Sequence, residues 1–108
     1  MNKPEYQFKD KIILITGSTQ GIGAETAKLF AFRGAKGIVI CGRNTERGNG
    51  IKEEIEKIGS QSLFVKTDLA NLDDCRNLIV QTDKYFGRID TLVNCAGLTD
   101  RGTILSTT

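Results

Sequence analysis

The 108-residue sequence contains no histidine and no tryptophan, one proline, three cysteines and two tyrosines, and aromatic residues make up only 6% of it. Without histidine the chain cannot by itself hold a Ser-His-Asp or Cys-His nucleophilic site, a HExxH zinc helix or a histidine general base. Any chemistry must rest on other groups or on a bound cofactor. Cys41, Cys75 and Cys95 are odd in number and far apart in the chain, so neither a disulfide framework nor a CxxC metal or redox pair is expected. Each is expected to be a small buried apolar side chain in a reducing compartment. The longest aliphatic run, Ile12-Ile13-Leu14-Ile15, is far short of the ~20 apolar residues of a spanning helix. The opening residues MNKPEYQFKD carry no apolar core of a secretory leader. The expectation is a cytoplasmic protein with no membrane partner. A net charge of +2, with no basic cluster interleaved with aromatics, leaves no footprint for nucleic acid.

What is present is 39% apolar and 26% charged residues with twelve glycines, the profile of one globular α/β domain spanning residues 1–108. Lys11–Thr16 (KIILIT) reads as a strand buried on both faces, followed by a glycine-rich turn. A helix is expected over Ala24–Arg33, with Ile22, Thr26, Leu29 and Phe30 on its apolar stripe. Ile38–Cys41 reads as a second strand. Asn44–Ile58 reads as a helix with Ile51, Ile55 and Ile58 at i, i+4 and i+7 and Gly59 at its end, weakened in its first half by Gly48 and Gly50. Ser62–Thr67 is a third strand. Asn71 can cap a third helix that carries Asp73 and Asp74 in its first turn, shows Leu72, Cys75, Leu78 and Ile79 on one side, and ends at Phe86-Gly87. Thr91–Asn94 is a fourth strand. Strands alternating with helices imply βαβ units and a parallel sheet with helices on both faces, a doubly wound three-layer α/β fold of strand order 3-2-1-4.

Candidate functional residues cluster at the strand ends. Gly17-Ser18-Thr19-Gln20-Gly21-Ile22-Gly23 has the spacing G-x-x-x-G-x-G between a buried strand and a helix. It is neither a Walker A loop nor the common G-x-G-x-x-G. The glycines permit a tight turn, and the free N–H groups of the helix start suit a phosphate group. The plainer reading, three glycines that only build a turn, is disfavoured by their place at the first strand-to-helix junction. After the second strand stands Cys41-Gly42-Arg43-Asn44, with no carboxylate; Glu46 already lies within the helix. Dinucleotide folds place an acidic residue here for a ribose 2′-hydroxyl, or an Arg for a 2′-phosphate. Arg43 offers a rigid fork of donors suited to phosphate, which points to NADP rather than NAD. A methyltransferase binding an adenosyl cofactor is the alternative, and the missing carboxylate weighs against it. Asp68-Leu69 follows the third strand and Asn94-Cys95-Ala96-Gly97 the fourth, so all four strand ends face one crevice. Asp68 as a turn residue and Asn94 as a backbone brace are equally open readings of those two side chains.

Together these residues resemble the short-chain dehydrogenase/reductase family. Its TGxxxGxG motif matches Thr16 through Gly23, its Asp after strand three matches Asp68, and its NNAG-type motif matches Asn94-Cys95-Ala96-Gly97 with Cys in second place. The match runs in order from Asp10 to Gly97. The resemblance implies a Rossmann-type cofactor domain of an oxidoreductase that transfers hydride between a nicotinamide and a carbonyl or secondary alcohol of a small molecule. By the same resemblance, the segment from Gly17 to Gly23 would wrap the pyrophosphate, with Ser18, Thr19 and the Ile22 backbone near phosphates and ribose. Arg43 and Asn44 would meet the 2′-phosphate. Asp68 would hold the adenine amino group beside the Leu69 backbone, and Asn94, Ala96 and Gly97 would line the riboses. The family's catalytic Ser and Tyr-x-x-x-Lys pair lie downstream of the NNAG motif. Only Tyr6 and Tyr85 occur in this sequence, and Asp10 and Ile89 stand four residues beyond them. The expectation is therefore a truncated, catalytically incomplete portion of a parent that forms homo-oligomers, with dimer helices outside these residues. Alternatives are a free-standing nucleotide-binding module, or a fragment completed by a partner chain.

Overall fold

Ile12, Ile13, Leu14 and Ile15 are all but inaccessible to solvent, and a strand in that state needs cover on both faces. The computed structural model describes residues 7–17 and 21–95 and supplies that cover. β1 (Ile12–Thr16), β2 (Gly37–Gly42), β3 (Gln61–Lys66) and β4 (Thr91–Asn94) alternate with α1 (Gly21–Phe32), α2 (Thr45–Ile58) and α3 (Leu72–Phe86). The sheet is wholly parallel with order β3-β2-β1-β4. Parallel neighbours require long crossovers, and the three helices provide them.

The two faces of the sheet carry different cores. Ile13, Ile15, Ile38 and Ile40 pack with Ala27, Ala31 and Ile55, so α1 and α2 cover one face. Leu14, Val39, Cys41 and Val65 pack with Leu78 and Phe86, so α3 covers the other. The doubly wound three-layer arrangement and the strand order expected from the sequence are both present.

The helix faces depart from the expected stripes. α1 begins at Gly21, three residues earlier than expected, and buries Gly23, Ala24, Ala27 and Ala31. Ile22 and Leu29 are each more than half exposed, and Phe30 is half-buried with its ring 4.7 Å from Phe8. Small side chains let the helix axis approach the sheet closely, and the large ones are turned outward as a result. In α3 the buried positions are Leu78 and Thr82; Leu72 and Ile79 are exposed and Cys75 is half-buried, so that expected stripe was also misplaced. Thr82 satisfies its hydroxyl by donating to the Leu78 carbonyl at 2.8 Å, which permits its burial.

Gly48 has a role the sequence did not reveal. A Cβ there would lie 2.2 Å from the Phe64 ring, whereas one at Gly50 would meet nothing within 4 Å. The absent side chain lets α2 seat against β3. Gly37 does the same on the opposite face, where an added Cβ would fall 2.3 Å from the Phe86 ring. Asn71 caps α3 as expected, its Oδ1 accepting from Asp74 N–H at 3.0 Å; Asn44, read as the first residue of the second helix, is instead the cap of α2, its Oδ1 accepting from Arg47 N–H at 3.0 Å.

At the N-terminal end of the sheet, Asp90 fastens β1 to β4. Its Oδ2 accepts from Ile12 N–H at 2.7 Å and from Arg88 Nε at 2.9 Å, and its own N–H donates to the Ile12 carbonyl at 2.9 Å. The Ile12 N–H above all, and then Arg88, hold the Asp90 carboxyl below the usual carboxylate range.

Three outcomes are expected. Gly48→Ala should destabilise the fold by about 1–2 kcal/mol in denaturant unfolding, overpacking outweighing the ~1 kcal/mol gain in helix propensity. Adding Phe64→Leu should recover part of that loss. Ser62 is fully buried and its Oγ has no hydrogen-bond partner among the described residues, so Ser62→Ala should be neutral or stabilise by up to about 1 kcal/mol in the same assay. A carboxyl with a lowered folded-state pKa contributes stability above its unfolded pKa and loses it as pH falls through the folded value. The melting-temperature gap between wild type and Asp90→Asn should therefore be widest near neutrality and shrink below about pH 4.

Candidate functional site

The carboxyl ends of the four strands lie side by side, which is where open α/β sheets bind ligands. At the end of β1, the Thr16 hydroxyl donates to Asn94 Oδ1 at 2.8 Å, and Cys95 N–H donates to the Thr16 carbonyl at 3.2 Å. Thr16 and Asn94 are direct register partners, so β1 and β4 end together as one braced pair. Asn94 thus acts as a brace whatever else it does. The sequence reading had left Thr16 out of the site, because its partner is 78 positions away.

Gly17 follows β1 with φ of 67°, and Gly21 opens α1 with φ of 58°. Both are left-handed conformations that favour glycine. Among the described residues, a Cβ at Gly21 would touch nothing within 4 Å, which leaves room there for an approaching group. Gly23, by contrast, is buried within α1. The first turn of α1 bears no acidic side chain, so the partial positive charge of its N-terminus is not neutralised from within the helix. Ser18, Thr19 and Gln20 lie outside the described residues, as do Ala96 and Gly97.

Beneath this turn lies Cys41, fully buried in β2, whose thiol donates to the Ile15 carbonyl at 3.8 Å. Burial pushes the thiol pKa up, and the Gly17 backbone N–H opposes that shift in part. Cys41 and Cys95 are buried as expected. Cys75 is only half-buried, because its sulfur reaches out of the core to donate to the Leu69 carbonyl at 3.5 Å.

After β2, Arg43 is exposed and immediately precedes the helix cap. Asn44 is exposed too; its Oδ1 accepts from Arg47 N–H, and its amide nitrogen is the donor it can offer another group. After β3, Asp68 Oδ1 accepts from Ala70 N–H at 2.9 Å, and Asp68 N–H donates to Asp74 Oδ2 at 2.8 Å. Asp68 is therefore a turn-forming residue, and Asp74, read from the sequence only as a dipole partner, holds that turn. Leu69 stands partly exposed beside it. The structure brings Gly17, Gly21, Arg43, Asp68 and Asn94 to the same end of the sheet.

Among the described residues, no group of three or more His, Cys, Asp or Glu side chains could hold a metal ion. No helix there is long and apolar enough to cross a membrane. Tyr85 lies in the last turn of α3 with its ring 4.7 Å from Phe86. Phe86 packs over Gly37 at the start of β2, so Tyr85 sits at the far end of the sheet from the strand termini.

Comparison with known proteins agrees with this geometry. A family model described as short chain dehydrogenase matches residues 11–108. A 3beta-hydroxysteroid dehydrogenase of Mediterraneibacter gnavus is 38% identical over 92 residues, which are 85% of this chain and 33% of that protein. A crystal structure of a short chain dehydrogenase from Bacillus anthracis superposes with a TM-score of 0.73 at 44% identity, covering 81% of this chain and 34% of the other. An NADH-dependent reductase solved with NAD superposes at 0.75 and 30% identity, covering 83% and 37%. The chain thus spans about a third of the length of each of these relatives. With its parallel 3-2-1-4 sheet, its glycine turn after β1 and its matching family model, the chain belongs to the short-chain dehydrogenase family of oxidoreductases.

Proposed function

We propose that residues 1–108 form a single dinucleotide-binding domain of an NADP-dependent oxidoreductase. Its reaction moves hydride between a nicotinamide and a carbonyl or secondary alcohol of a small molecule. The observation that carries the cofactor choice is the β2 terminus, where exposed Arg43 follows Gly42 and no carboxylate stands before the helix cap. A guanidinium fork suits a 2′-phosphate, whereas a ribose 2′-hydroxyl calls for an acceptor. The NAD seen in the similar reductase belongs to that protein.

The residues present fit such a cofactor. The turn from Gly17 through Ser18, Thr19, Gln20, Gly21, Ile22 and Gly23 offers backbone N–H groups and a helix N-terminus to the pyrophosphate. The open space at Gly21 supports this assignment. Arg43 pairs with the 2′-phosphate, assisted by the Asn44 amide. With Asp68 Oδ1 held by Ala70 N–H, Oδ2 is the acceptor for the adenine amino group, against the side of Leu69. Asn94, locked by Thr16, together with Ala96 and Gly97, borders the riboses. The nicotinamide, when bound, supplies or accepts the hydride; the residues of this chain bind and orient it. In this reading none of the described residues is catalytic.

Fluorescence titration of the intact protein tests the reading. NADPH should bind at least about tenfold more tightly than NADH, and Arg43→Ala should weaken NADPH by about tenfold or more while changing NADH by less than about twofold. Tighter binding of NADH by the wild type overturns it.

A further inference from the structure

The parallel register places Lys66 directly abreast of Gly42, the residue before Arg43. Side chains alternate along a strand. Phe64, two residues earlier, packs onto Gly48 of α2, so Lys66 points to the same face, the one on which the N-terminus of α2 sits. Arg47 lies in the first turn of that helix, tied through its N–H to Asn44. Arg43, Arg47 and Lys66 are all exposed. Three cations thus stand at two neighbouring strand ends and one helix start, beside Glu46 as the acidic residue of that first turn.

A cation beside a helix N-terminus opposes its dipole, and neighbouring cations at the ends of β2 and β3 repel one another unless an anion lies between them. The equivalent place on α3 is built the usual way, with Asp73 and Asp74 in the first turn. Among the described residues Lys28, Lys52, Arg76 and Arg88 are ion-paired to carboxylates, whereas Arg43 and Lys66 are not.

We infer that Lys66 is a second specificity-determining cation of the dinucleotide site, acting with Arg43 on a terminal phosphate monoester at the ribose 2′ position. The inference rests on the NADP reading above and adds a residue from β3 to it. A flexible ammonium can follow a dianion that the Arg43 fork grips from the side of β2, so the two divide the charge between neighbouring strand ends. Each phosphate contact also adds to the salt dependence of binding, because it is an exposed ionic interaction.

The test is titration of the intact wild type, Lys66→Gln, Lys66→Arg and Arg43→Ala with NADPH, NADH and 2′,5′-ADP at two salt concentrations. Lys66→Gln should weaken NADPH and 2′,5′-ADP by about fivefold to tenfold, leave NADH within about twofold, and flatten the salt dependence; Lys66→Arg should retain most of the affinity. Matching melting temperatures exclude a folding effect. If the wild type binds NADPH no more tightly than NADH, the NADP reading fails and takes this inference with it. If the wild type prefers NADPH and Arg43→Ala removes the preference while Lys66→Gln leaves it intact, the role of Lys66 is overturned and the NADP reading stands.

Discussion

Burial of β1 and β2 from both sides is the constraint on which the other elements depend. Ile13, Ile15, Ile38 and Ile40 face α1 and α2, while Leu14, Val39 and Cys41 face α3. Each large aliphatic side chain contributes about 1.5–3 kcal/mol through removal from water. A shift of either strand by one residue would exchange the two faces and mismatch both helical layers at once. The register is therefore fixed from both sides, and with it the height at which every strand ends.

Fixed strand ends make the site. Gly17, Gly42, Asp68 and Asn94 terminate or directly follow strands whose positions the core sets. The loops that follow β2 and β3 are short and held by their own contacts. Thr16 clasps Asn94, Asp74 holds the Asp68 turn, and Asn44 closes the start of α2. Side chains that brace the fold thereby border the carboxyl ends of the strands. At the opposite end, Asp90 performs the matching task by joining the first residue of β1 to the turn before β4. The central sheet is pinned at both ends of the β1–β4 pair.

Much of this was legible from residue order. The Asn71 cap, the Gly87 terminus of α3 and the limits of β4 follow the sequence, because capping and turn chemistry depend on neighbours along the chain. The helix faces were not legible in the same way. For α1, periodicity favoured Ile22 and Leu29, yet the buried positions are Gly23, Ala24, Ala27 and Ala31. Close approach to a flat sheet selects for small size there, which a search for large apolar residues passes over. Gly48 looked like a weakness in α2 until the Phe64 ring was found against it.

The sequence by itself determined the alternation of strands and helices, the glycine turn, an Arg43 at the β2 terminus with no carboxylate beside it, and the lack of histidine. Each is a property of residue type and spacing, fixed before the chain folds. Only the tertiary structure decided which residues meet: Thr16 with Asn94, Asp68 with Asp74, Lys66 with the Gly42-Arg43 junction. These pairings follow from strand register and helix-to-sheet distance. Both are set by how side chains far apart in the chain fill shared space, and no local rule encodes that.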